Sequence, residues 1–268
     1  MAAGSDPPMD AWDVGDGYEY FMGRWSRLVA REFVSWLSVP AHSTWLDVGC
    51  GTGVLSRTIA DLTDPATVTG VDPAGNFVLF AQSQKTDDRI TYLTGNAESL
   101  PLDSDHCDAV VSALMLNFVR DQRKAISEMR RVTKPGGIIA AYVWDYADQM
   151  QMLRYFWDAA MSIDPKASSL DEGKRFPLCT PERLRDSFVS SGLYGVYVKS
   201  FEVQTRFADF DDYWRPFLGG QGPAPGYAVS LDRQTQDALR GRLQAILPLS
   251  EDGSINLRAR AWAVRGHS

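Results

Sequence analysis

Cysteine, histidine and excess positive charge are all scarce in this chain. Its three cysteines, Cys50, Cys107 and Cys179, are too few and too scattered for a disulfide framework or a zinc cluster. Its three histidines, His42, His106 and His267, fall before a strand, in a loop and in the tail, and read as surface residues. Of these, only His106 has a route toward a crevice. Acidic residues outnumber basic ones, 34 against 27, giving a formal charge of −7 and a pI near 5.0. Affinity for phosphate backbones is built from clustered Lys and Arg, so no nucleic-acid partner is expected. The longest strongly apolar run, Ile138 to Trp144, is far too short to span a bilayer. The acidic, Pro-containing start lacks the basic and apolar segments of a secretory leader, and a soluble cytoplasmic protein is the expectation. No His/Asp/Cys cluster stands at ligand spacing, so no metal is expected.

What remains is an ordinary globular composition over 268 residues, 44% hydrophobic and 23% charged, read as one domain spanning 1–268. Eight tryptophans are more than a core of this size needs. Residues 1–17 form a loose lead-in rich in Gly, Asp and Pro. Ser26 to Leu37 then places Val29, Phe33, Trp36 and Leu37 at helical spacing, and Pro40 stops it. Short apolar strands follow at Thr44–Val48, Thr67–Asp72, Ile90–Thr94, Asp108–Leu114 and Ile138–Trp144. Amphipathic helices fall between them at Val54–Leu62, Asn76–Ser83 and Asp121–Val132. Such alternation predicts βαβ units, with a parallel sheet covered on both faces.

After Trp144 the rhythm breaks. A helix is expected over Met152–Met161, and another begins where Thr180 can cap and Pro181 can open it, with Gly192 just past its end. Val196–Phe207 reads as a strand whose apolar phase switches near Ser200, which predicts a bend or bulge there. Asp209–Leu218 and Leu231–Leu247 read as helices separated by a turn-rich stretch from Gly219 to Gly226. Ile255–Val264 is a last strand, so 208–250 is an insertion between the final two strands.

The strongest local signal is Trp45-Leu46-Asp47-Val48-Gly49-Cys50-Gly51-Thr52-Gly53. A buried strand ends in an acid, a glycine-rich turn follows, and a helix starts at Val54. Glycines there let a ligand approach the backbone, in the crevice where open α/β sheets bind ligands. Val54 stands where the dinucleotide fingerprint needs its third glycine, and no Gly-Lys-Ser/Thr follows, so both dehydrogenase and Walker-type readings are disfavoured. The second strand ends in Gly70-Val71-Asp72-Pro73; Asp72 suits a ribose, whose two hydroxyls can donate to one carboxylate, or it caps the next helix. Gly95-Asn96-Ala97-Glu98-Ser99-Leu100-Pro101-Leu102, after the third strand, suits the edge and face of a purine. The Ser112–Leu116 end of the fourth strand should lie beside the glycine turn.

In this order and spacing, these segments resemble the class I S-adenosylmethionine-dependent methyltransferases, in the subgroup that includes small-molecule and ubiquinone-pathway enzymes. The resemblance covers residues 18–145, with 41–145 as the cofactor-binding core. It implies a Rossmann-like, doubly wound α/β sheet of seven strands with the last antiparallel, plus helical insertions forming a lid. It implies S-adenosyl-L-methionine as cofactor, with Gly49, Gly51 and Gly53 around the methionine moiety, Asp72 on the ribose, and Asp47 and Cys50 among the cofactor-binding residues. Pro73 would lie near the adenine, Asn96 and Ala97 at its edge, and Ser112 behind the sulfonium, with Glu98 a further cofactor-binding residue. Asn96 departs from the family, which often carries Asp there; Asn can still accept from an adenine amino group. The segment Tyr18 to Trp25, within an 18–40 lid, is expected to fold over the cofactor, with Arg24 on the methionine carboxylate and Tyr20 over the sulfur.

Methyl transfer from a sulfonium leaves little covalent chemistry to the protein, and a base matters only where the acceptor must lose a proton. Asp145, at the carboxyl end of the fifth strand, is a candidate base or a polar wall residue. Acceptor contacts are expected from 146–180 and 208–250, through Tyr146, Trp157, Tyr213, Trp214 and Phe217, some of which would only pack the insertions onto the sheet. The expected function is methylation of a small aromatic or lipophilic acceptor at O, N or C, by a monomer or homodimer. RNA methylation, cofactor binding without turnover, and a non-methylating reaction on the same scaffold are the alternatives.

Overall fold

A computed structural model describes residues 19–220 and 222–268; Tyr18, the 1–17 lead-in and Gln221 lie outside the described residues. The sheet has seven strands in the order β3-β2-β1-β4-β5-β7-β6. They are β1 (Thr44–Val48), β2 (Thr67–Asp72), β3 (Ile90–Thr94), β4 (Cys107–Ala113), β5 (Thr133–Trp144), β6 (Tyr194–Phe207) and β7 (Ile255–His267). The first five pair in parallel, and β7 runs antiparallel between β5 and β6. Trp45, Leu46, Asp47 and Val48 are all buried, as a central parallel strand with both faces covered requires. The chain winds outward from β1 to β3 and then returns to β4 on the other side of β1. That reversal opens a crevice beyond the carboxyl ends of β1 and β4.

Ten α-helices surround the sheet among the described residues. In chain order they are α1 (Arg24–Leu37), α2 (Val54–Thr63), α3 (Gly75–Ser83), α4 (Gln122–Val132), α5 (Gln151–Ile163), α6 (Glu172–Arg175), α7 (Pro181–Ser190), α8 (Phe210–Trp214), α9 (Pro223–Ser230) and α10 (Arg233–Ile246). Local chemistry sets several ends. Asp121 accepts the Lys124 N–H at 2.9 Å to start α4, and Thr180 accepts the Arg183 N–H at 3.3 Å ahead of Pro181 to start α7. A π-helix over Glu19–Gly23 leads into α1.

Three local expectations are corrected. The β6 irregularity lies between Tyr194 and Tyr197, where Gly195 takes φ +61°; Ser200 sits in an unbroken ladder with β7. The phase change near Ser200 instead follows the cover on this edge strand. Tyr197 and Phe201 stand against Trp36 of α1, and from Phe201 onward every second residue is buried. The stretch from Gly219 to Gly226 is not all turn, because prolines open α9 at its first positions, where a missing N–H costs nothing. The fifth strand starts at Thr133 and not at Ile138, because Lys134 to Gly137 run on as part of β5.

The core is continuous across the sheet and the insertions. Phe33 of α1 is fully buried and meets Tyr142 edge-to-face at 4.9 Å. Phe156 of α5 stacks on Phe217 at 4.4 Å, and Phe217 in turn meets Phe21 of the π-helix at 5.7 Å. Trp25 packs on Phe207 at the end of β6 at 5.3 Å, so the first helical segment is seated on that strand as well as, through Phe21, on the 208–250 insertion. No helix of the described residues is long and apolar enough to cross a membrane. Phe33→Ala deletes a ring with no solvent-exposed area and is expected to lower the free energy of unfolding by about 3–5 kcal/mol; urea denaturation followed by tryptophan fluorescence measures it.

Candidate active site

A cavity of about 280 Å³ fills the crevice at the carboxyl ends of β1, β2, β4 and β5. One side is made by the turn after β1. Gly49, Gly51 and Gly53 all take positive φ, +72°, +51° and +80°. The three glycines have different reasons to be there. A Cβ at Gly49 would overlap the Met115 side chain, and one at Gly53 would overlap the Tyr92 hydroxyl. A Cβ at Gly51 would meet nothing within 4 Å, so only Gly51 fronts open space. Its N–H donates to Asp72 Oδ2 at 2.9 Å, and the Ala74 N–H donates to Asp72 Oδ1 at 2.9 Å. The Gly49 N–H reaches Val71 O at 2.7 Å, so the glycine turn is tied to the end of β2.

Asp47 and Asp72 both face this cavity. Asp47 is fully buried; Ser56 donates to its Oδ2 at 2.7 Å, and its Oδ1 has no partner. Burial, with Asp72 nearby, pushes its carboxyl up to about 7. Burial also lifts Asp72 above the usual carboxylate range, against the two backbone N–H groups that favour its charge.

The far side of the cavity is built by Tyr142, Trp144, Tyr146, Leu153, Glu172 and Pro223. Sequence reading missed Glu172 because a carboxylate in an irregular polar stretch reads as solvated surface. It is 2% exposed. Arg154 and Trp157 of α5, three residues apart, face the start of α6 together. Arg154 Nη1 donates to Asp171 Oδ2 at 3.1 Å, whereas Glu172 Oε2 receives the Trp157 indole N–H. Burial pushes the Glu172 carboxyl up to about 7.

Of the residues expected around a cofactor, Asp47, Gly49, Cys50, Gly51, Asp72 and Pro73 come together on the cavity wall. Gly53 stands behind the turn. Asn96, Ala97, Glu98 and Ser112 do not line it. Asn96 accepts the Glu98 N–H at 2.8 Å, Glu98 accepts the Asp121 N–H at 3.1 Å, and Ala97 and Ser112 are buried. Pro73, Ala74 and Phe77 make the wall at that end instead. Arg24 is engaged elsewhere: its Nη1 meets Asp212 Oδ1 at 2.9 Å and its guanidinium lies over Trp25 and Phe207. Tyr20 is 40% exposed and off the cavity, and Phe21, Met22 and Ser26 line it in place of Tyr20 and Arg24.

Asp145 does not face the cavity either. Arg260 Nε donates to its Oδ2 at 2.8 Å, which gives the carboxylate a fixed cation and removes it as a free base. Of the five expected acceptor contacts, Tyr146 lines the cavity. Trp157, Tyr213, Trp214 and Phe217 are buried mortar; Tyr213 donates its hydroxyl to Met152 O at 2.9 Å. His106 is exposed at the opposite, amino-terminal end of β4. Among the described residues no group of three or more His, Cys, Asp or Glu could hold a metal ion.

Residues 46–141 match the family model described as a methyltransferase domain. The chain is 38% identical over 104 residues to a malonyl-[acyl-carrier protein] O-methyltransferase from Pectobacterium atrosepticum, covering 38% of this chain and 40% of that protein. It is 35% identical over 116 residues to the ubiquinone/menaquinone biosynthesis C-methyltransferase UbiE of Syntrophotalea carbinolica, covering 42% of this chain and 47% of that protein. The chain thus spans less than half the length of these curated relatives. In fold it is similar to the YcgJ protein of Bacillus subtilis, with a TM-score of 0.59 and 17% identity over 91% of this chain and 98% of that one.

Two outcomes test the site's internal logic. Gly53→Ala should destabilise more than Gly51→Ala, because both carry backbone strain of about 1–2 kcal/mol but only the former adds an overlap with Tyr92; thermal unfolding of the two variants measures the difference. Between about pH 4 and 7 the folded chain keeps the Asp47 proton that the unfolded chain releases, so this group's contribution to stability falls as pH rises through that window. Asp47→Asn should therefore gain thermal stability over the parent as pH climbs from about 5 to 8, by several degrees. Parallel melting-temperature curves for the two proteins would contradict the burial argument.

Proposed function

We propose that this chain, which carries a methyltransferase domain over residues 46–141, transfers a methyl group from S-adenosylmethionine to a small organic acceptor. The observation that carries the reading is the open Gly51 backbone joined to the Asp72 carboxylate at the ends of adjacent parallel strands. Each Asp72 oxygen takes one backbone N–H and keeps a lone pair, which suits the paired hydroxyls of a ribose. The unpartnered Asp47 Oδ1 suits the ammonium of the methionine moiety, whose arrival would favour the ionised acid. Pro73, Ala74 and Phe77 offer apolar contact to an adenine ring.

The cofactor supplies a methyl carbon already activated by its sulfonium. The chain's own part is to hold donor and acceptor in line and to keep water out. Phe21 and Met22, from the π-helix that precedes α1, and Leu153, from the insertion, form the apolar cover for that purpose. The acidic net charge and the aromatic far wall support a small organic acceptor over RNA. The names of the two curated relatives, a C- and an O-methyltransferase, support carbon or oxygen as the methylated atom.

Calorimetric titration with S-adenosylhomocysteine tests the reading. Two charge-assisted hydrogen bonds of about 1.5–3 kcal/mol each are at stake. Asp72→Asn should weaken binding roughly tenfold and Asp72→Ala on the order of a hundredfold. Wild-type affinity in Asp72→Ala, or no binding by the unaltered chain, removes the basis for the proposal.

A further inference from the structure

We propose that Glu172 is the proton acceptor for the methyl acceptor, and that the wall it forms selects an uncharged molecule bearing a hydroxyl over a carboxylate or phosphate. The inference rests on the methyl-transfer reading and adds the chemistry of the second substrate.

The first observation is how Glu172 is partnered. Two consecutive acids, Asp171 and Glu172, are both buried at the start of α6. The one cation that α5 presents, Arg154, is held by Asp171, which also caps α6 by accepting the Gly173 N–H at 2.9 Å. Glu172 receives only a neutral donor from that helix, the Trp157 indole N–H. A buried carboxylate with a neutral donor and no paired cation binds a proton readily, and its carboxyl is pushed up to about 7. That is the range in which a side chain works best as a general base near neutral pH. The charged groups around it are Asp171 and Arg154; Asp47 and Asp72 line the donor side of the same cavity.

A second, independent observation concerns Trp144. It lines the cavity at 1% exposure, and its indole N–H has no partner. Buried donors in folded proteins are rarely left unmatched, so this one marks a place for an acceptor atom from outside the chain. A hydroxyl satisfies both groups, because its O–H donates to Glu172 while its lone pair accepts from Trp144.

The third observation is one of charge. No Lys, Arg or His among the described residues lines the cavity, whereas Asp47, Asp72 and Glu172 do. Residues 1–18, which precede the described segment, contain no Lys, Arg or His. An anionic acceptor would be desolvated beside Glu172 with no countercharge from the wall.

In the step itself, the acceptor's hydroxyl proton passes to the Glu172 carboxylate as the nucleophilic lone pair forms its bond to the methyl carbon. The carbon–sulfur bond breaks with its electron pair remaining on sulfur. The products are the methylated acceptor, the neutral thioether and a protonated Glu172, which returns its proton to solvent on product release.

The test uses the full chain saturated with S-adenosylhomocysteine and two probes built on the same aromatic ring, 2-naphthol and 2-naphthoate. The naphthol should bind at least tenfold more tightly than the naphthoate. Glu172→Gln, whose amide oxygen can still accept the Trp157 N–H, should cut that preference at least fivefold, and Trp144→Phe should weaken the naphthol severalfold. Excited 2-naphthol is a strong acid, so at about pH 8 the bound probe should show the long-wavelength emission of the naphtholate anion, replaced by neutral emission in Glu172→Gln. Equal or tighter binding of the naphthoate, no naphthol binding, a preference unchanged in Glu172→Gln, or neutral emission from the unaltered chain overturns the assignment. Because S-adenosylhomocysteine binding is measured first, its failure strikes the methyl-donor reading as well, whereas its success followed by any of these results strikes Glu172 alone. If Glu172→Gln does not fold, the probe ratio, the emission and Trp144→Phe still decide.

Discussion

Three carboxylates, Asp47, Asp72 and Glu172, line one cavity with no cation among the described lining residues. The hydrogen bonds each one receives come from neutral donors. Asp72 holds two backbone N–H groups, Asp47 the Ser56 hydroxyl, and Glu172 the Trp157 indole. Neutral donors offset part of the desolvation cost but leave all three acids above their ordinary range. Such a wall is costly to the free protein and favourable to a ligand that brings positive charge or a transferable proton. Three of the chain's nearby cations are meanwhile engaged outside the cavity: Arg24 by Asp212, Arg154 by Asp171, and Arg260 by Asp145.

Those three ion pairs also hold the frame. Arg24 joins the first helix to the 208–250 insertion. Arg154 joins α5 to α6. Arg260 joins β7 to the end of β5 and reaches Asp148 at 2.9 Å as well. Together with the Phe156–Phe217 stack they fix the insertions on the carboxyl edge of the sheet, where Leu153, Glu172 and Pro223 enter the cavity wall. The tryptophan surplus serves the same end. Trp157 orients Glu172, and Trp25 seals the seam with Phe207 while Arg24 lies over its ring.

The sheet, and the gathering of residues into the proposed donor half of the cavity, were legible in the sequence because their signals are local. A buried run ending in Asp47, a turn of positive-φ glycines and a second strand ending in Asp72 are each written within a few consecutive residues, and parallel pairing then places them side by side. The acceptor half was not legible, because its meaning depends on contacts between segments. Asp145 occupies a strand end as a catalytic acid would, yet Arg260, far along the chain, neutralises it. Trp157, Tyr213 and Phe217 are aromatic, as binding residues often are, but they meet one another's elements and not the cavity. Glu172 had no motif at all; only the Arg154–Trp157 spacing on α5 separates it from its neighbour Asp171.

That separation implies a division of labour in the fold. The donor half is fixed by main-chain geometry at the ends of β1 and β2, and its key group, the Gly51 N–H, cannot move without breaking the tie to Asp72. The acceptor half hangs on side chains from one helix. Arg154 and Trp157 sit on the same face of α5, and which acid each meets decides whether the cavity receives a paired carboxylate or one without a cation. A change on that face would alter what the far wall accepts while leaving the strand ends untouched. On this architecture, the proposed selectivity for a second substrate rests on α5 and α6, and the proposed affinity for the first rests on the sheet.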